Sequence, residues 1–171
     1  GGARGVVGLV QESEPEGEGE GALQRYRERK LVAFSAEQVF DVVTRVAEYE
    51  KFVPYCTGSR VLHEGSDGRS QRAELGVGFQ LFEERYISSI EMQPPYLVKA
   101  TASDSQLFRV LESSWRLKPG PEAGQCWVTF QVEFAFKNAG YQHVASVFMK
   151  KIAESMLSAF EDRCQELYDS S

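Results

Sequence analysis

The side chains best suited to chemistry stand inside stretches that the sequence predicts to be strands. Glu84, Tyr86 and Arg109 are residue types that exchange protons in general acid–base catalysis of an enol or aldol step. A buried Lys99 or Arg109 could instead donate a hydrogen bond to an oxygen of a bound ligand. Because unpaired charges are seldom buried, such residues more often form ion pairs across exposed strands. Three interpretations therefore stay open: acid–base groups, ligand donors or surface ion pairs.

Other reactive groups do not form a recognisable constellation. Cys56, Cys126 and Cys164 are odd in number and widely spaced, and His63 and His143 are the only histidines. This pattern predicts neither a disulfide framework nor a Cys/His metal site, and it favours a reducing compartment. The sequence also lacks a G-x-S-x-G motif and a Walker loop. We therefore predict no metal, no cofactor and no catalytic residues from a recognised motif.

The charge is unevenly distributed along the chain. Of the formal net charge of −6, the first 24 residues account for −4, with five glutamates against a single arginine, which leaves −2 for the rest. Their Gly- and Glu-rich composition predicts a disordered acidic leader over residues 1–24, followed by one domain over 25–171. A near-neutral domain without a basic stripe disfavours nucleic acid as a partner. No apolar run is long enough to cross a membrane, so any membrane contact would be peripheral.

The elements that must position these side chains are strands and helices of an α+β fold. Ser35 and Gln38 have the spacing of a capping box, which predicts a helix beginning at Ser35 and a second short helix or turn over 49–56. Alternating apolar and polar residues predict antiparallel strands over 26–34, 59–64, 71–77, 79–92, 96–102, 107–117 and 126–136. In the 107–117 strand, Leu111 and Trp115 are expected to share a face with Arg109.

The last stretch, over 140–168, predicts a long amphipathic helix. Its apolar stripe is expected to contain Val144, Phe148, Ile152, Met156, Ala159, Phe160 and Leu167, with Val147 and Cys164 beside it. A stripe of this length needs a broad apolar partner. We therefore predict a helix-grip architecture, in which a curved antiparallel sheet of about seven strands wraps around this helix and two short helices follow the first strand.

Two blocks of sequence resemble a known family. The segment from Tyr26 through 43 leads into Phe52-Val53-Pro54-x-Cys56, and a later block spans 107–120 with its tryptophan. Together with the C-terminal helix, over about residues 25–168, they resemble the coenzyme Q-binding proteins of the START-like, polyketide cyclase superfamily. The resemblance implies a START-like fold and a lipid chaperone, not an enzyme, that supports respiratory electron transport and ubiquinone biosynthesis at the matrix face of the mitochondrial inner membrane.

The resemblance further implies that ubiquinone or a related prenyl quinone occupies a cavity between the sheet and the long helix. We expect the cavity to be lined by Phe82, Tyr86, Val98, Lys99, Arg109, Leu111, Trp115, Phe130, Val144, Phe148, Ile152 and Met156. We expect an apolar lip at a membrane-facing mouth, formed by Phe52, Val53, Pro54 and Tyr55. Respiratory or biosynthetic complexes would then be partners.

Three alternatives remain at this point. An apolar helix stripe over an apolar sheet face is ordinary core in most domains, and the lip could be a turn buried against the sheet. The superfamily also contains cyclase-type enzymes, for which converging acids and bases would be needed. Bacterial relatives associate with ribosomes, a function that the near-neutral charge disfavours.

Overall fold

The computed structural model describes residues 10–15, 22–79, 82–138, 140 and 142–169, without the side chains of 10–15, 79, 82 and 142–144. Its elements are β1 (Val10–Pro15), β2 (Gln24–Val32), α1 (Ala36–Thr44), a 3₁₀ helix (Val46–Lys51), β3 (Cys56–Glu64), β4 (Ser70–Phe79), β5 (Phe82–Gln93), β6 (Leu97–Ser103), β7 (Phe108–Pro119), β8 (Cys126–Phe136) and α2 (Gln142–Tyr168). The two short helices follow β2, as predicted.

The strands form one antiparallel sheet in the order β1-β2-β8-β7-β6-β5-β4-β3. Strands β2 to β8 are the seven that the sequence predicted. With α2 packed against this sheet, the α+β helix-grip architecture is confirmed.

Strand β1 is an eighth strand inside the predicted leader. It pairs with β2 from Val10 opposite Arg29 to Pro15 opposite Gln24, so the prediction of disorder is wrong for these six residues. Strand pairing uses backbone donors and acceptors along an open sheet edge, which composition alone does not reveal. The rest of the predicted leader up to residue 21 lies outside the described residues.

Helix α1 begins where its capping box predicts. The Ser35 hydroxyl accepts a hydrogen bond from the Gln38 backbone N–H at 3.2 Å, and the Ser35 N–H donates to Gln38 Oε1 at 3.0 Å. These two bonds satisfy backbone donors that a helix start leaves unpaired. Val39, Val42 and Val43 on this helix are buried.

Helix α2 packs on the sheet with a face rotated from the predicted stripe. Its buried residues are Ala145, Phe148, Met149, Ile152, Ala153, Leu157, Phe160 and Cys164. Val147, which was predicted to lie beside the stripe, is 53% exposed. The predicted stripe followed steps of four residues, and such a row gradually turns away from the sheet because the helix has 3.6 residues per turn. Residues outside the predicted stripe, such as Met149 and Ala153, therefore contribute to the interface with the sheet.

Strand β7 contains a bulge that changes which side chains face α2. Phe108 is opposite Phe136 and Val110 is opposite Ala135, so Arg109 is the extra residue between these two pairs. Phe108 is buried and Arg109 is exposed. The predicted common face of Arg109 with Leu111 and Trp115 is therefore wrong, because one extra residue reverses the alternation on its N-terminal side.

Candidate functional site: an apolar cavity under α2

A cavity of about 140 Å³ lies between the sheet and the N-terminal half of α2. Strands β4 to β8 contribute to its wall, and Met149, Ile152, Ala153 and Met156 form the helical side. A cavity of ~150 Å³ lined by apolar side chains is large enough to take up one benzene ring. This space therefore suits a single six-membered ring and is too small for a long chain.

Seven residues that were predicted to line the cavity do so: Tyr86, Val98, Leu111, Trp115, Phe130, Ile152 and Met156. Phe148 is buried, but its ring packs edge-on against Tyr55 at 5.1 Å and is not part of the lining. The side chains of Phe82 and Val144, which were also predicted, lie outside the described residues. Whether these residues contact a ligand stays a prediction.

The sequence analysis missed a second group of lining residues: Tyr49, Cys56, Leu75, Gly76, Val77, Ser88, Ile90, Ala100, Ala102, Phe108, Ser113, Val132, Met149 and Ala153. Many of them alternate with exposed residues on the same strands as the predicted ones. Ser88 and Ile90, for example, follow Tyr86 at steps of two along β5. Strand alternation extended from Tyr86 and Trp115 would have found Ser88, Ile90 and Ser113.

Small side chains create the space. The register aligns Ile90, Ala100, Ser113 and Val132 across β5, β6, β7 and β8. On the neighbouring row Ser88 is opposite Ala102. A sheet face that has alanine and serine at these positions cannot fill the volume under a helix, so the gap remains open.

An aromatic cluster closes one side of the cavity. Trp115 lies 4.7 Å from Phe130 and 4.6 Å from Phe160, measured between ring centroids. Phe160 in turn packs edge-on against Tyr49 at 5.3 Å and against Phe52 at 5.0 Å. Phe52 was predicted to form part of the lip; instead its ring is in this cluster, beneath the guanidinium of Arg163.

The rest of the predicted lip lies where the cavity approaches the surface. Val53 and Pro54 line the cavity, and Tyr55 is 39% exposed. Tyr55 has a positive φ of 62°, a backbone conformation that reverses the chain direction before β3. Its ring contacts Phe148, the neighbour of the exposed Val147 on α2. Tyr55 thus places apolar surface in water next to Pro54 of the cavity lining, and Val147 is a second exposed apolar residue on α2.

The charged residues proposed as ligand donors lie outside the cavity. Lys99 alternates with Val98 and Ala100, which line the cavity, so Lys99 points to the opposite face of the sheet and is exposed. Arg109, the extra residue of the β7 bulge, is also exposed. The prediction that either side chain donates a hydrogen bond into the cavity is therefore wrong.

The candidate acid–base groups do not converge. Glu84 is buried, and its carboxylate accepts hydrogen bonds of 2.8 Å from the Ser105 hydroxyl and from the Gln106 N–H, which fixes the β6–β7 turn. Arg109 is exposed, and Tyr86 alone of the three lines the cavity. Nearby, Arg85 forms ion pairs with Glu74 and Glu83 on the exposed face of the sheet. This arrangement does not support enol or aldol chemistry by these residues.

The polar groups that do line the cavity are uncharged. The Tyr49 hydroxyl donates to the backbone carbonyl of Val43, and the Cys56 thiol donates to the carbonyl of Gly58 at 3.4 Å. Burial raises the pKa of Tyr49, Tyr86 and Cys56 above their ordinary values because desolvation disfavours their anions. All three therefore keep their protons at neutral pH, and the cavity presents donors without charge.

Across the described ranges, no three His, Cys, Asp or Glu side chains come together in a group that could hold a metal ion. In the same part of the chain, no helix combines the length and the apolar composition that crossing a bilayer requires.

The sequence matches a family described as polyketide cyclase/dehydrase and lipid transport over residues 32–161. Among curated relatives, the mitochondrial coenzyme Q-binding protein COQ10 homolog B of Xenopus laevis is 40% identical over 84% of this chain and 59% of its own length. The mitochondrial COQ10 of Saccharomyces cerevisiae is 32% identical over 84% of this chain and 72% of its own. The ribosome association toxin RatA of Vibrio cholerae is 29% identical over 81% of this chain and 93% of its own length. The chain therefore spans less than two thirds of the Xenopus relative.

Solved structures share the fold. An 18 kDa protein of Caulobacter crescentus is 28% identical, with a TM-score of 0.67 over 85% of this chain and 99% of that one. The Zhui aromatase/cyclase of Streptomyces sp. R1128 is 17% identical, with a TM-score of 0.68 over 84% of this chain and 94% of that one. At that identity the likeness to the cyclase concerns the fold alone.

Proposed function

The chain belongs to the polyketide cyclase/dehydrase and lipid transport family, among its coenzyme Q-binding proteins, and we propose that it binds ubiquinone or a related prenyl quinone in the cavity under α2. The observation that carries this proposal is the cavity itself. Its volume of about 140 Å³ suits one ring, its wall is largely apolar, and its polar side chains are uncharged. A quinone ring is flat, uncharged and bears oxygens that only accept hydrogen bonds, which is the complementary chemistry.

The isoprenoid tail must then leave the cavity. Each CH₂ group that is removed from water contributes about 0.8 kcal/mol, so a long tail needs an apolar path throughout. We propose that such a path runs from Val53 and Pro54, which line the cavity, to the exposed Tyr55 and Val147. We propose that this exit faces a bilayer, so that the tail passes from protein to lipid while the ring stays bound.

The biological role that we propose is that of a lipid chaperone rather than an enzyme. It would hold ubiquinone for respiratory electron transport and for ubiquinone biosynthesis, at the matrix face of the mitochondrial inner membrane. Support comes from relatives that are named mitochondrial coenzyme Q-binding proteins. Respiratory or biosynthetic complexes are the partners that this role requires.

A ribosome-associated function has one observation in its favour, the 29% identity to RatA over nearly that protein's whole length. The near-neutral charge of residues 25–171 does not favour binding to RNA. Co-sedimentation with ribosomes at low salt distinguishes the two functions.

The test of the proposed function is to purify the chain from a host that makes ubiquinone, without adding lipid, and to extract it with organic solvent. We expect ubiquinone in near-stoichiometric amount, identified by its ultraviolet spectrum and its mass. A well-folded protein that is empty, and that also takes up no ubiquinone from detergent micelles, would contradict the proposal.

A further inference from the structure

Two tyrosines line the cavity, and their hydroxyl groups differ. The Tyr49 hydroxyl donates to the Val43 carbonyl, so its hydrogen bond is already made within the protein. The Tyr86 hydroxyl has no hydrogen-bond partner among the residues that the structure describes. Tyr86 is half-buried, so water can reach this hydroxyl while the cavity is empty. A ligand that displaces the water must offer an acceptor in its place, because a buried hydroxyl without a partner is unfavourable by about 1–3 kcal/mol.

The position of Tyr86 is well determined by its neighbours. Its backbone on β5 is opposite Leu75 on β4, and its ring packs edge-on against Phe108 with centroids 6.5 Å apart. Leu75 and Phe108 both line the cavity, so the ring is held between apolar walls. Desolvation raises the pKa of Tyr86, so the phenol remains protonated and able to donate.

We propose that the Tyr86 hydroxyl donates a hydrogen bond to a ring oxygen of the bound quinone, and that the ring, rather than the tail, therefore occupies the cavity. This inference rests on the proposed function, since it requires a quinone ligand. The isoprenoid tail has no acceptor and would leave the hydroxyl unpaired. A ring carbonyl satisfies it, and the single-ring volume of the cavity agrees with this orientation.

The experiment compares the wild type with Tyr86→Phe and with the control Tyr96→Phe, which removes a tyrosine hydroxyl from the exposed β5–β6 turn, away from the cavity lining. Ubiquinone labelled with ¹³C at its carbonyl carbons is bound to each protein, and infrared difference spectra report the carbonyl stretch. Hydrogen bonding weakens a carbonyl bond and lowers its frequency. We expect one shifted carbonyl band in the wild type and in Tyr96→Phe, and loss of that band in Tyr86→Phe.

Affinity provides a second measurement. Loss of one neutral hydrogen bond should weaken ubiquinone binding by about fivefold in Tyr86→Phe. A prenylated benzene without ring oxygens should bind the wild type no more tightly than Tyr86→Phe, because it cannot accept the hydrogen bond. Quenching of tryptophan fluorescence can follow ubiquinone, since Trp115 lines the cavity, and titration calorimetry can follow the prenylated benzene.

The outcomes separate the two proposals. A wild type that binds no ubiquinone contradicts the proposed function. A wild type that binds ubiquinone with unshifted carbonyl bands overturns the role of Tyr86 alone, and this result needs no variant to fold. The same conclusion follows if Tyr86→Phe keeps both the shifted band and the affinity, or if Ser88→Ala or Ser113→Ala removes the band instead.

Discussion

The indole of Trp115 on β7 packs against the ring of Phe160 on α2, with centroids 4.6 Å apart and ring planes tilted by 52°. Both residues are almost fully buried, at 4% and 2% exposure. This contact joins the sheet to the helix at one wall of the cavity. The same indole lines the cavity, so one residue stabilises the fold and borders the candidate ligand site.

Replacing Trp115 with alanine should strongly destabilise the protein. Removal of a large buried aromatic side chain costs about 3–5 kcal/mol in free energy of unfolding, because apolar contacts are lost and a hole remains. Urea denaturation followed by circular dichroism measures this change. The control is Trp127→Ala, on the outer face of the sheet, where the ring stacks under Arg29. Equal destabilisation by the two variants would contradict the special place of Trp115.

Filling the cavity should abolish ligand uptake. Ala102 is on β6 and lines the cavity, so the ring in Ala102→Phe would occupy the space that we assign to the quinone. We expect ubiquinone to fall to trace amounts in the purified variant, measured by solvent extraction and mass spectrometry. Thr101→Phe adds the same ring one residue away, on the exposed face, and should retain its ubiquinone. Similar ubiquinone contents in the two variants would argue against the cavity as the binding site.

The apolar exit should matter for transfer from membranes. Tyr55→Asp and Val147→Asp place a charge where we propose that the tail leaves for the bilayer, and charge disfavours insertion into lipid. We expect the rate at which the protein extracts ubiquinone from phosphatidylcholine vesicles to fall by about tenfold or more. Filtration to separate protein from vesicles, with spectroscopy of the protein fraction, measures this rate. Tyr96→Asp is the control, since Tyr96 is 50% exposed in the β5–β6 turn, away from the cavity lining. A comparable slowing there would mean that the location of the charge is irrelevant.

Glu28 should make stability depend on pH. It is buried between β2 and α2, and desolvation raises its pKa above 4.5 against the lowering effects of Tyr26 and Lys30, with Glu161 and Glu154 raising it further. A carboxyl whose folded-state pKa is raised binds its proton more tightly in the folded state. Its stabilising contribution is thus full below the unfolded pKa and is lost as pH rises through the folded value.

Glu28→Gln should therefore be more stable than the wild type at pH 7, and the difference should shrink as the pH falls toward 4. Thermal or urea unfolding across this range measures the effect. Glu112→Gln removes a carboxylate from an exposed position of β7 and should leave the pH profile of the wild type unchanged. A Glu28→Gln variant that keeps the wild-type profile would show that Glu28 does not titrate as described.

The first helix start offers a local test. Ser35→Ala removes the hydroxyl that accepts from the Gln38 N–H, and loss of such a cap typically costs about 1 kcal/mol. Chemical denaturation should show a lower midpoint with an unchanged slope. Ser66→Ala, in the exposed β3–β4 turn, is the matched control and should be nearly neutral. The prediction is contradicted if both variants unfold at the wild-type midpoint.

Local chemistry made most of the fold predictable from sequence. Strand β8 has the predicted limits Cys126–Phe136, because its alternation is unbroken, and α1 begins at its capping box. Most predicted apolar residues of the cavity were found for the same reason. Successive side chains of a strand point to opposite faces, so the apolar and polar alternation in the sequence shows directly which side chains face the core.

Departures from the prediction have non-local causes. The extra residue at Arg109 reverses the alternation, and nothing in the residues around it marks a bulge, since its register is defined by β8. Phe52 belongs to the aromatic cluster because Phe160, more than 100 positions later, packs against it. Strand β1 exists because β2 has an open edge, which only the assembled sheet provides.

The small residues beneath α2 have a consequence for how this fold can change its ligand during evolution. Ser88, Ala100, Ala102 and Ser113 determine how much empty space the sheet leaves, whereas Trp115 and the rings around it hold sheet and helix together. The residues that set the volume of the cavity are thus different from the residues that pack the sheet against the helix. Substitutions at these four positions are therefore expected to change the size of the ligand that the cavity can admit, while the contacts that hold sheet and helix together stay intact.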